Sequence, residues 1–216
     1  KIINEKYLIL GSNSFSGSNF INYLLNKKKI VIGISRSNEY NQTFLKYYKN
    51  KNIKNYKFFK LDINKDLQKI LKIIDDFKPS HIINFVAQGD VRTSWKYPEQ
   101  WYKTNFTSLV NFSNKLIGNK YLKKYLSIST PEVYGSTKNK ISESNYFDPS
   151  TPYALSKLSA DLHLNLLKKK YDFPVLFSRS ANVYGPHQLL YRIIPRTILY
   201  AKLNKKIILH GNGNSK

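Results

Sequence analysis

The chain has 216 residues, with 36 Lys and Arg against 13 Asp and Glu, so its formal net charge is +23. Hydrophobic residues make up 41% of it, which is enough for a packed core and excludes a wholly disordered chain. With 0 Cys, the chain has no disulfide, thiol nucleophile or Cys-zinc site, and we expect no metal site. No signal peptide or membrane-spanning segment is visible, so a cytoplasmic protein is expected.

The positive charge has two interpretations. A strongly basic chain suggests a nucleic-acid partner. Here the lysines are spread throughout the sequence among many Asn and Ile, and no nucleic-acid-binding motif accompanies them. A composition bias with a solvated basic surface is therefore favoured, and no nucleic-acid partner is expected. The positive field would still attract a phosphate-bearing small molecule.

Short apolar runs alternate with longer amphipathic ones along the chain. This alternation is typical of an α/β fold, and we expect a Rossmann-type doubly wound parallel sheet with helices on both faces. The predicted elements are, in chain order, strand 7–10, helix 18–27, strand 30–34, strand 56–61, helix 67–77, strand 81–86, helix 101–117, strand 125–129, helix 153–171 and strand 175–178.

The first predicted strand is followed by the sequence GSNSFSG, residues 11–17, and then by a helix. Gly11 permits a tight turn, and Gly17 lets the helix pack closely on the strand. The helix N-terminus would offer its N–H groups to a pyrophosphate. Ser14 stands where such turns usually have Gly, so the motif by itself equally suits an ordinary loop. Its place between strand and helix favours dinucleotide binding by Gly11, Ser14, Phe15 and Gly17.

The ends of the next two strands carry further candidate cofactor residues. An acidic residue after the second strand would bind the ribose 2′-hydroxyl, but the sequence has Arg36 and Ser37. An Arg suits a 2′-phosphate, which predicts NADP over NAD, although a surface Arg is an equal alternative. Asp62 and Ile63 follow the third strand, where Asp62 would meet the adenine amine or cap the next helix.

Tyr153 and Lys157 lie four residues apart, so they share one face of the predicted helix. A lysine cation near a phenol lowers the phenol's pKa. The phenolate can then accept a proton from an alcohol while a hydride leaves the carbon. The spacing by itself is equally typical of an amphipathic helix without catalytic function.

The surrounding motifs favour catalysis, because together they resemble the extended short-chain dehydrogenases/reductases. More narrowly, the chain resembles the nucleotide-sugar 4,6-dehydratases, which include dTDP-glucose and GDP-mannose 4,6-dehydratases. The resemblance implies an NAD(P)-binding Rossmann domain over residues 1–180 and the beginning of a truncated substrate-binding lobe over residues 181–216. It is carried by the turn 11–17, Asp62, Ala87-Gln88, Asn105, STPEVYG (129–135), YALSK (153–157) and RSANVYGP (179–186).

The resemblance also implies a role for each residue of the catalytic group. Tyr153 and Lys157 form the catalytic pair, and Thr130 hydrogen-bonds the sugar hydroxyl that is oxidised. Glu132 matches the carboxylate that removes the C5 proton once C4 is a ketone, whereas sugar 4-epimerases have no acidic residue there. A solvated loop acid is the alternative interpretation of Glu132.

One departure bears on the substrate. The dTDP-glucose enzymes have an aspartic acid that protonates the leaving hydroxyl where this chain has Pro131, so either Glu132 is both base and acid or the chemistry differs. Two residue pairs resemble the GDP-mannose enzymes, namely Ala87-Gln88, which would bind the cofactor, and Arg36-Ser37. A GDP-mannose 4,6-dehydratase-like activity is therefore favoured. Residues 192–195 resemble the dTDP-glucose enzymes instead, so the nucleotide base of the substrate stays open.

The remaining expectations concern the substrate and partners. Asn182 matches a position that holds the substrate phosphate, and Arg192 is either a second phosphate contact or a surface residue. Helices 101–117 and 153–171 are candidates for a homodimer interface. A sugar 4-epimerase or reductase, and a non-catalytic cofactor- or RNA-binding module, are the alternative functions.

Overall fold

A six-stranded, wholly parallel sheet forms the centre of the computed structural model, which describes residues 5–137 and 140–208. The strand order is β3-β2-β1-β4-β5-β6, with the crossover between β3 and β4. This order is that of the Rossmann fold, so the predicted architecture is confirmed. The strands are β1 (Lys6–Leu10), β2 (Ile30–Ser35), β3 (Tyr56–Lys60), β4 (His81–Asn84), β5 (Lys124–Ile128) and β6 (Val175–Ser178).

Helices cover both faces of the sheet. The described helices are α1 (Phe15–Asn26), α2 (Leu67–Phe77), α3 (Val91–Lys96), α4 (Pro98–Trp101), a π-helix (Tyr102–Thr107), α5 (Ser108–Asn114), α6 (Pro152–Tyr171) and α7 (Ile193–Lys202). Short 3₁₀ turns occupy Gln42–Phe44, Lys46–Lys49, Ile53–Asn55 and Pro131–Tyr134. Among the residues that the structure describes, every helix is too short or too polar to span a lipid bilayer.

Two apolar cores lie on opposite faces of the sheet, because successive side chains of a strand point in opposite directions. Leu8 and Leu10 of β1 pack in the core that α2, α5 and α6 cover. Ile9, between them, packs with α1 in the second core. Burial on both faces explains why the inner strands β1 and β2 read as nearly continuous apolar runs.

The structure differs from the predicted elements mainly between β4 and β5. The helix expected over residues 101–117 is divided into α4, the π-helix and α5, and α3 precedes them. β4 ends at Asn84, whose side-chain oxygen accepts a hydrogen bond from the Val86 N–H at 2.9 Å. Helix α7, which the predicted pattern did not include, follows β6.

Gly17 allows α1 to pack against the end of β1, as predicted. A Cβ atom on Gly17 would lie 2.5 Å from the Gly11 carbonyl oxygen, which is backbone and has little room to move. We expect Gly17→Ala to lower the free energy of unfolding by about 1–3 kcal/mol. Urea denaturation measures this, with the m value unchanged.

Gly89→Ala is the matched control, because no atom lies within 4 Å of a Cβ placed there. Equal destabilisation by both substitutions would contradict the packing explanation.

Candidate active site

A cleft of about 210 Å³ opens at the carboxyl ends of β1 to β4, where ligands bind in doubly wound sheets. Most of the predicted cofactor residues line it, whereas Phe15, Gly17, Gln88, Tyr153 and Lys157 do not. The cleft therefore brings together the segments predicted to hold a dinucleotide, namely Gly11, Ser14, Arg36, Ser37, Asp62, Ile63 and Ala87.

The turn after β1 is shaped by the close approach of the segment that follows β4. Gly11 has φ +76°, and a Cβ there would lie 2.8 Å from the Phe85 carbonyl carbon and 2.9 Å from the Val86 nitrogen. A side chain at this position would therefore meet backbone atoms and demand an unfavourable φ. Phe15 is the first residue of α1, and its ring lies beside Gly185, in the segment after β6.

Ser14 serves as the N-cap of α1, so this helix begins at Phe15 and not at residue 18. The Ser14 Oγ accepts a hydrogen bond from the Gly17 N–H at 3.0 Å. Its φ is −66°, which any residue can adopt, so a glycine is not required there. Because the hydroxyl accepts this bond, its own proton remains available to an acceptor in the cleft.

Asn13 is a cleft residue that the sequence reasoning missed. Its side-chain amide donates to the carbonyl oxygens of Ser37, at 3.0 Å, and Asn38, at 2.8 Å. It thereby holds the segment that carries Arg36 against the turn after β1. Its Oδ1 is buried and has no partner among the described residues. The place of Asn13 inside the glycine turn was the only signal for it.

Asp62 lies in the cleft wall and does not cap α2. Its carboxylate accepts a hydrogen bond from the Asn64 N–H at 2.9 Å, and Asp66 is the residue that precedes the first turn of α2. The helix-cap alternative is therefore wrong. The adenine contact remains a prediction.

The π-helix positions Asn105, which joins the segment after β4 to α6. The Asn105 Oδ1 accepts from the Gln88 N–H at 2.8 Å, and its Nδ2 donates to the Gln88 carbonyl at 3.0 Å. The same Nδ2 also donates to the Ser156 Oγ of α6 at 2.9 Å. Gln88 is thus held through its backbone. The match of Asn105 in the family resemblance was its only sequence signal.

Thr130, Glu132 and Tyr153 are brought together at the end of β5. The Thr130 Oγ1 accepts a hydrogen bond from the Glu132 N–H at 3.2 Å and so begins the 3₁₀ turn. Burial raises the pKa of Tyr153, a hydrogen bond with Thr130 lowers that pKa, and the negative charge of Glu132 raises it again. The carboxylate is therefore close enough to the phenol to act on its ionisation.

Lys157 lies one helical turn beyond Tyr153 and is only 4% exposed. Burial lowers the pKa of Lys157, and the negative charge of Asp161 opposes this effect. We expected the lysine to lower the Tyr153 pKa, but that pKa is raised in this structure. Burial of the phenol is the largest cause, since it disfavours the phenolate.

Glu132 faces a second cavity, of about 440 Å³. Tyr134, Gly135 and Arg179 also line it. Burial raises the pKa of Glu132, which moves this carboxyl towards the range where it can both accept and donate a proton. A solvated loop acid would have no such burial.

The two predicted phosphate contacts are not brought into either cavity. Asn182 and Arg192 are both exposed, and neither lines the cavities described above. The Arg192 guanidinium stacks over the Tyr191 ring, 5.1 Å from its centroid. Their substrate roles remain predictions.

Comparison with known protein families identifies the family of this chain. The family described as GDP-mannose 4,6 dehydratase matches residues 8–216. The chain belongs to this family. It is an extended short-chain dehydrogenase/reductase of the nucleotide-sugar 4,6-dehydratase type, as the motifs predicted.

The similar proteins include both dehydratases and epimerases. A probable dTDP-glucose 4,6-dehydratase of Sinorhizobium fredii is 29% identical, over 97% of this chain and 62% of its own length. The solved dTDP-glucose 4,6-dehydratase of Bacillus anthracis, in complex with NAD, has a TM-score of 0.82 and 28% identity. The match covers 97% of this chain and 65% of the dehydratase. The UDP-glucuronic acid 4-epimerase of Bacillus cereus, in complex with UDP-glucuronic acid and NAD, has a TM-score of 0.75 and 28% identity. The match covers 93% of this chain and 64% of the epimerase. The chain thus spans less than two thirds of each of these proteins.

The buried ammonium of Lys157 carries a stability cost that a neutral side chain removes. We expect Lys157→Met to raise stability at neutral pH by about 1 kcal/mol, or roughly 2–4 °C in Tm. The gain should vanish as the pH approaches 10.5, the ordinary pKa of lysine, because the unfolded chain then also loses this proton.

Thermal unfolding at several pH values measures the gain. Lys169→Met is the control, since Lys169 is exposed on the same helix and its loss should bring no gain. An unchanged or lower Tm of Lys157→Met at neutral pH would contradict the burial cost.

Proposed function

We propose that this protein is an NAD(P)-dependent nucleotide-sugar 4,6-dehydratase, a hydro-lyase that converts an NDP-hexose to an NDP-4-keto-6-deoxyhexose. The observation that carries the proposal is the half-buried carboxyl of Glu132, with its raised pKa, beside Tyr153. Residues 1–180 are proposed as the cofactor-binding domain and residues 181–216 as the beginning of the substrate lobe.

The cleft fits a dinucleotide. Gly11 lets the turn after β1 pack directly against the backbone at Phe85 and Val86, and α1 begins at the cleft, where its N–H groups attract phosphate. The buried Oδ1 of Asn13 has no partner in the described structure and suits a hydroxyl or amine of the ligand. The NAD complexes of the related dehydratase and epimerase support this assignment. A bound nicotinamide would take up a hydride from C4 of the sugar and return it to C6.

The protein's own residues handle the protons of the oxidation. Thr130 holds the C4 hydroxyl of the sugar, and the Tyr153 phenolate accepts its proton. Lys157 supplies a positive charge that stabilises the phenolate and orients the cofactor ribose. This assignment follows from the shared α6 face of Tyr153 and Lys157 and from the hydrogen bond between Thr130 and Tyr153.

Glu132 handles the protons of the elimination. A ketone at C4 acidifies the C5 hydrogen, which the Glu132 carboxylate removes. The same carboxyl then protonates the C6 hydroxyl, which leaves as water, because Pro131 has no proton to give. The proton that C5 later regains balances the one taken from the C4 hydroxyl. A burial-raised pKa suits a group that performs both transfers.

GDP-mannose is the substrate that we favour. Pro131, Ala87-Gln88 and Arg36-Ser37 support it, as does the matched family. The dTDP-glucose dehydratases among the relatives, together with residues 192–195, support dTDP-glucose as the competing substrate. Asn182 and Arg192 are proposed to contact the diphosphate in either case.

A nucleotide-sugar 4-epimerase is the second candidate. The similarity to the Bacillus cereus epimerase supports it, since oxidation at C4 is common to both reactions. The acidic Glu132 beside Tyr153 favours dehydration, because a 4-epimerase needs no base for C5.

NADP is the cofactor form that we favour. Arg36 and Ser37 line the cleft where β2 ends. The nearby acid, Glu39, accepts a hydrogen bond from the Tyr47 hydroxyl and is thereby engaged away from a ribose. A guanidinium at the end of β2 suits a 2′-phosphate.

A homodimer through α6 is proposed from its exposed side. Leu155, Leu162 and Leu166 recur at a spacing of seven and four residues, so they form one stripe. They lie opposite the face that carries Tyr153 and Lys157, and Trp95 of α3 is also exposed. An apolar stripe of this kind is typical of a surface that a second copy covers.

The dehydratase assignment predicts a specific loss in Glu132→Gln. The full-length wild-type protein should convert GDP-mannose, and dTDP-glucose more slowly, to a product lighter by one water. Glu132→Gln should lose about 10²–10⁴-fold of this turnover while it still reduces the bound nicotinamide, because only the elimination needs the carboxyl. Mass spectrometry measures the product, and near-ultraviolet absorbance measures the reduced cofactor.

Glu99→Gln is the control, since Glu99 is exposed at the start of α4. A product of unchanged mass would indicate epimerisation. Full dehydration by Glu132→Gln would exclude Glu132 as the base.

The cofactor preference predicts a selective effect at Arg36. We expect Arg36→Ala to weaken NADP⁺ binding by roughly 10–100-fold, the equivalent of one charged hydrogen bond, and NAD⁺ binding by less than about threefold. Isothermal titration calorimetry measures both, with the exposed Lys51→Ala as the charge-matched control. An equal loss for both dinucleotides would show that Arg36 does not read the 2′-phosphate.

A further inference from the structure

Asp161 is a buried carboxylate behind the catalytic residues. It lies four residues after Lys157, which lies four residues after Tyr153, so the three side chains share one face of α6. Only 1% of Asp161 is exposed. A carboxylate in such a place is strongly destabilising unless positive charge and hydrogen bonds surround it.

Two neighbouring strands hold one oxygen of this carboxylate. The Asp161 Oδ2 accepts a hydrogen bond from the Ser129 Oγ at 2.6 Å, at the end of β5. It also accepts one from the Arg179 Nη2 at 3.0 Å, just after β6. The second oxygen, Oδ1, is buried and has no hydrogen-bond partner among the described residues. The carboxylate is therefore fixed in place but incompletely satisfied.

Arg179 links this carboxylate to the turn that carries Glu132. Its Nη1 donates to the Tyr134 hydroxyl at 2.8 Å. Its guanidinium lies 5.3 Å from the centroid of the Tyr134 ring and 5.5 Å from that of Phe147. Arg179 and Asp161 thus form one ionic cluster, which contacts both α6 and the 3₁₀ turn that carries Glu132.

The charges of Arg179 and Asp161 cancel each other, because the two groups are in direct contact. The ammonium of Lys157 therefore adds a positive charge that no neighbouring group among the described residues pairs with directly. Within the described structure, Lys157 has no ion pair with any carboxylate. Asp161 acts on it through space.

We propose that Asp161 is a positioning residue for the catalytic pair, and that its carboxylate, held by Ser129 and Arg179, keeps the buried ammonium of Lys157 charged. The proposal rests on the proposed function in assigning Tyr153 and Lys157 to catalysis. It differs from a purely structural role, in which Asp161 would only join α6 to β5 and β6.

The sign of the effect follows from the charges that face the pair. The negative charge of Asp161 raises the pKa of Lys157 and that of Tyr153. Glu132, from the 3₁₀ turn, likewise raises the Tyr153 pKa, and Arg179, just after β6, pairs with the Asp161 carboxylate. Removal of the Asp161 charge therefore makes Lys157 and Tyr153 lose their protons at lower pH.

Asp161→Asn tests the proposal, because the amide oxygen still accepts from Ser129 while the charge is lost. In the full-length protein without cofactor, ¹³C NMR of Cε-labelled lysine reports the titration of Lys157, whose signal is the one missing from Lys157→Arg. We expect the titration midpoint to move to lower pH. In turnover, the pH profile of kcat should move in the same direction, with about a tenfold loss of kcat at alkaline pH and KM within about twofold.

Ser129→Ala is the matched control, since it removes a hydrogen bond from the same carboxylate and keeps the charge. Its Lys157 midpoint should stay at the wild-type value. If Asp161→Asn does not fold, Arg179→Gln serves instead, because loss of a positive charge should move the midpoint to higher pH.

An unchanged midpoint in folded Asp161→Asn, or an equal shift in Ser129→Ala, would overturn the proposal. The titration needs no substrate, so its failure is distinct from failure of the dehydratase assignment. A shifted midpoint in a protein that does not dehydrate sugars would uphold the charge relation and reject its catalytic use.

Discussion

The burial of the Lys157 ammonium is the constraint on which the site depends. An isolated charge in a protein interior is strongly destabilising, and burial lowers the pKa of this lysine towards its neutral form. In the role proposed for Lys157, a neutral side chain could no longer stabilise the Tyr153 phenolate. The surroundings must therefore supply negative charge without a direct ion pair, which would hold the ammonium away from the phenol and the cofactor. A carboxylate one turn further along α6, anchored by other partners, meets both requirements.

The Rossmann topology explains how such partners converge. β5 and β6 are neighbours in the sheet, so their carboxyl ends place Ser129 and Arg179 side by side against α6. On the other side of α6, the π-helix turns Asn105 towards both Ser156 and the backbone of Gln88. π-helical turns are frequent at functional sites, because the wider turn aims a side chain where a regular helix would not. Helix α6 is thus held on one side by residues at the ends of β5 and β6 and on the other side by the π-helix.

Sequence reasoning reached the fold and many of the residues that line the first cleft, because those features are local. Apolar runs of fixed length mark the strands, and Gly11 and Gly17 mark a turn that admits no side chain. It missed Asn13 and the divided helix around Asn105, and it expected the wrong direction for the Tyr153 pKa. These depend on burial and on contacts between residues distant in sequence, such as Asn105 with Gln88 and Ser156. Periodicity carries no information about either.

The distinction between dehydration and epimerisation rests on very few atoms. Both reactions need a hydroxyl oxidised at C4, and the role proposed for Thr130, Tyr153 and Lys157 is the same in either. Elimination needs in addition a proton acceptor near C5 and a proton donor near the C6 hydroxyl. Glu132 lies on the turn whose first residue, Pro131, has no ionisable group, so the proposed dehydration assigns both roles to this one carboxyl. A carboxyl at its ordinary pKa would be a poor acid at neutral pH, whereas burial moves Glu132 towards both roles.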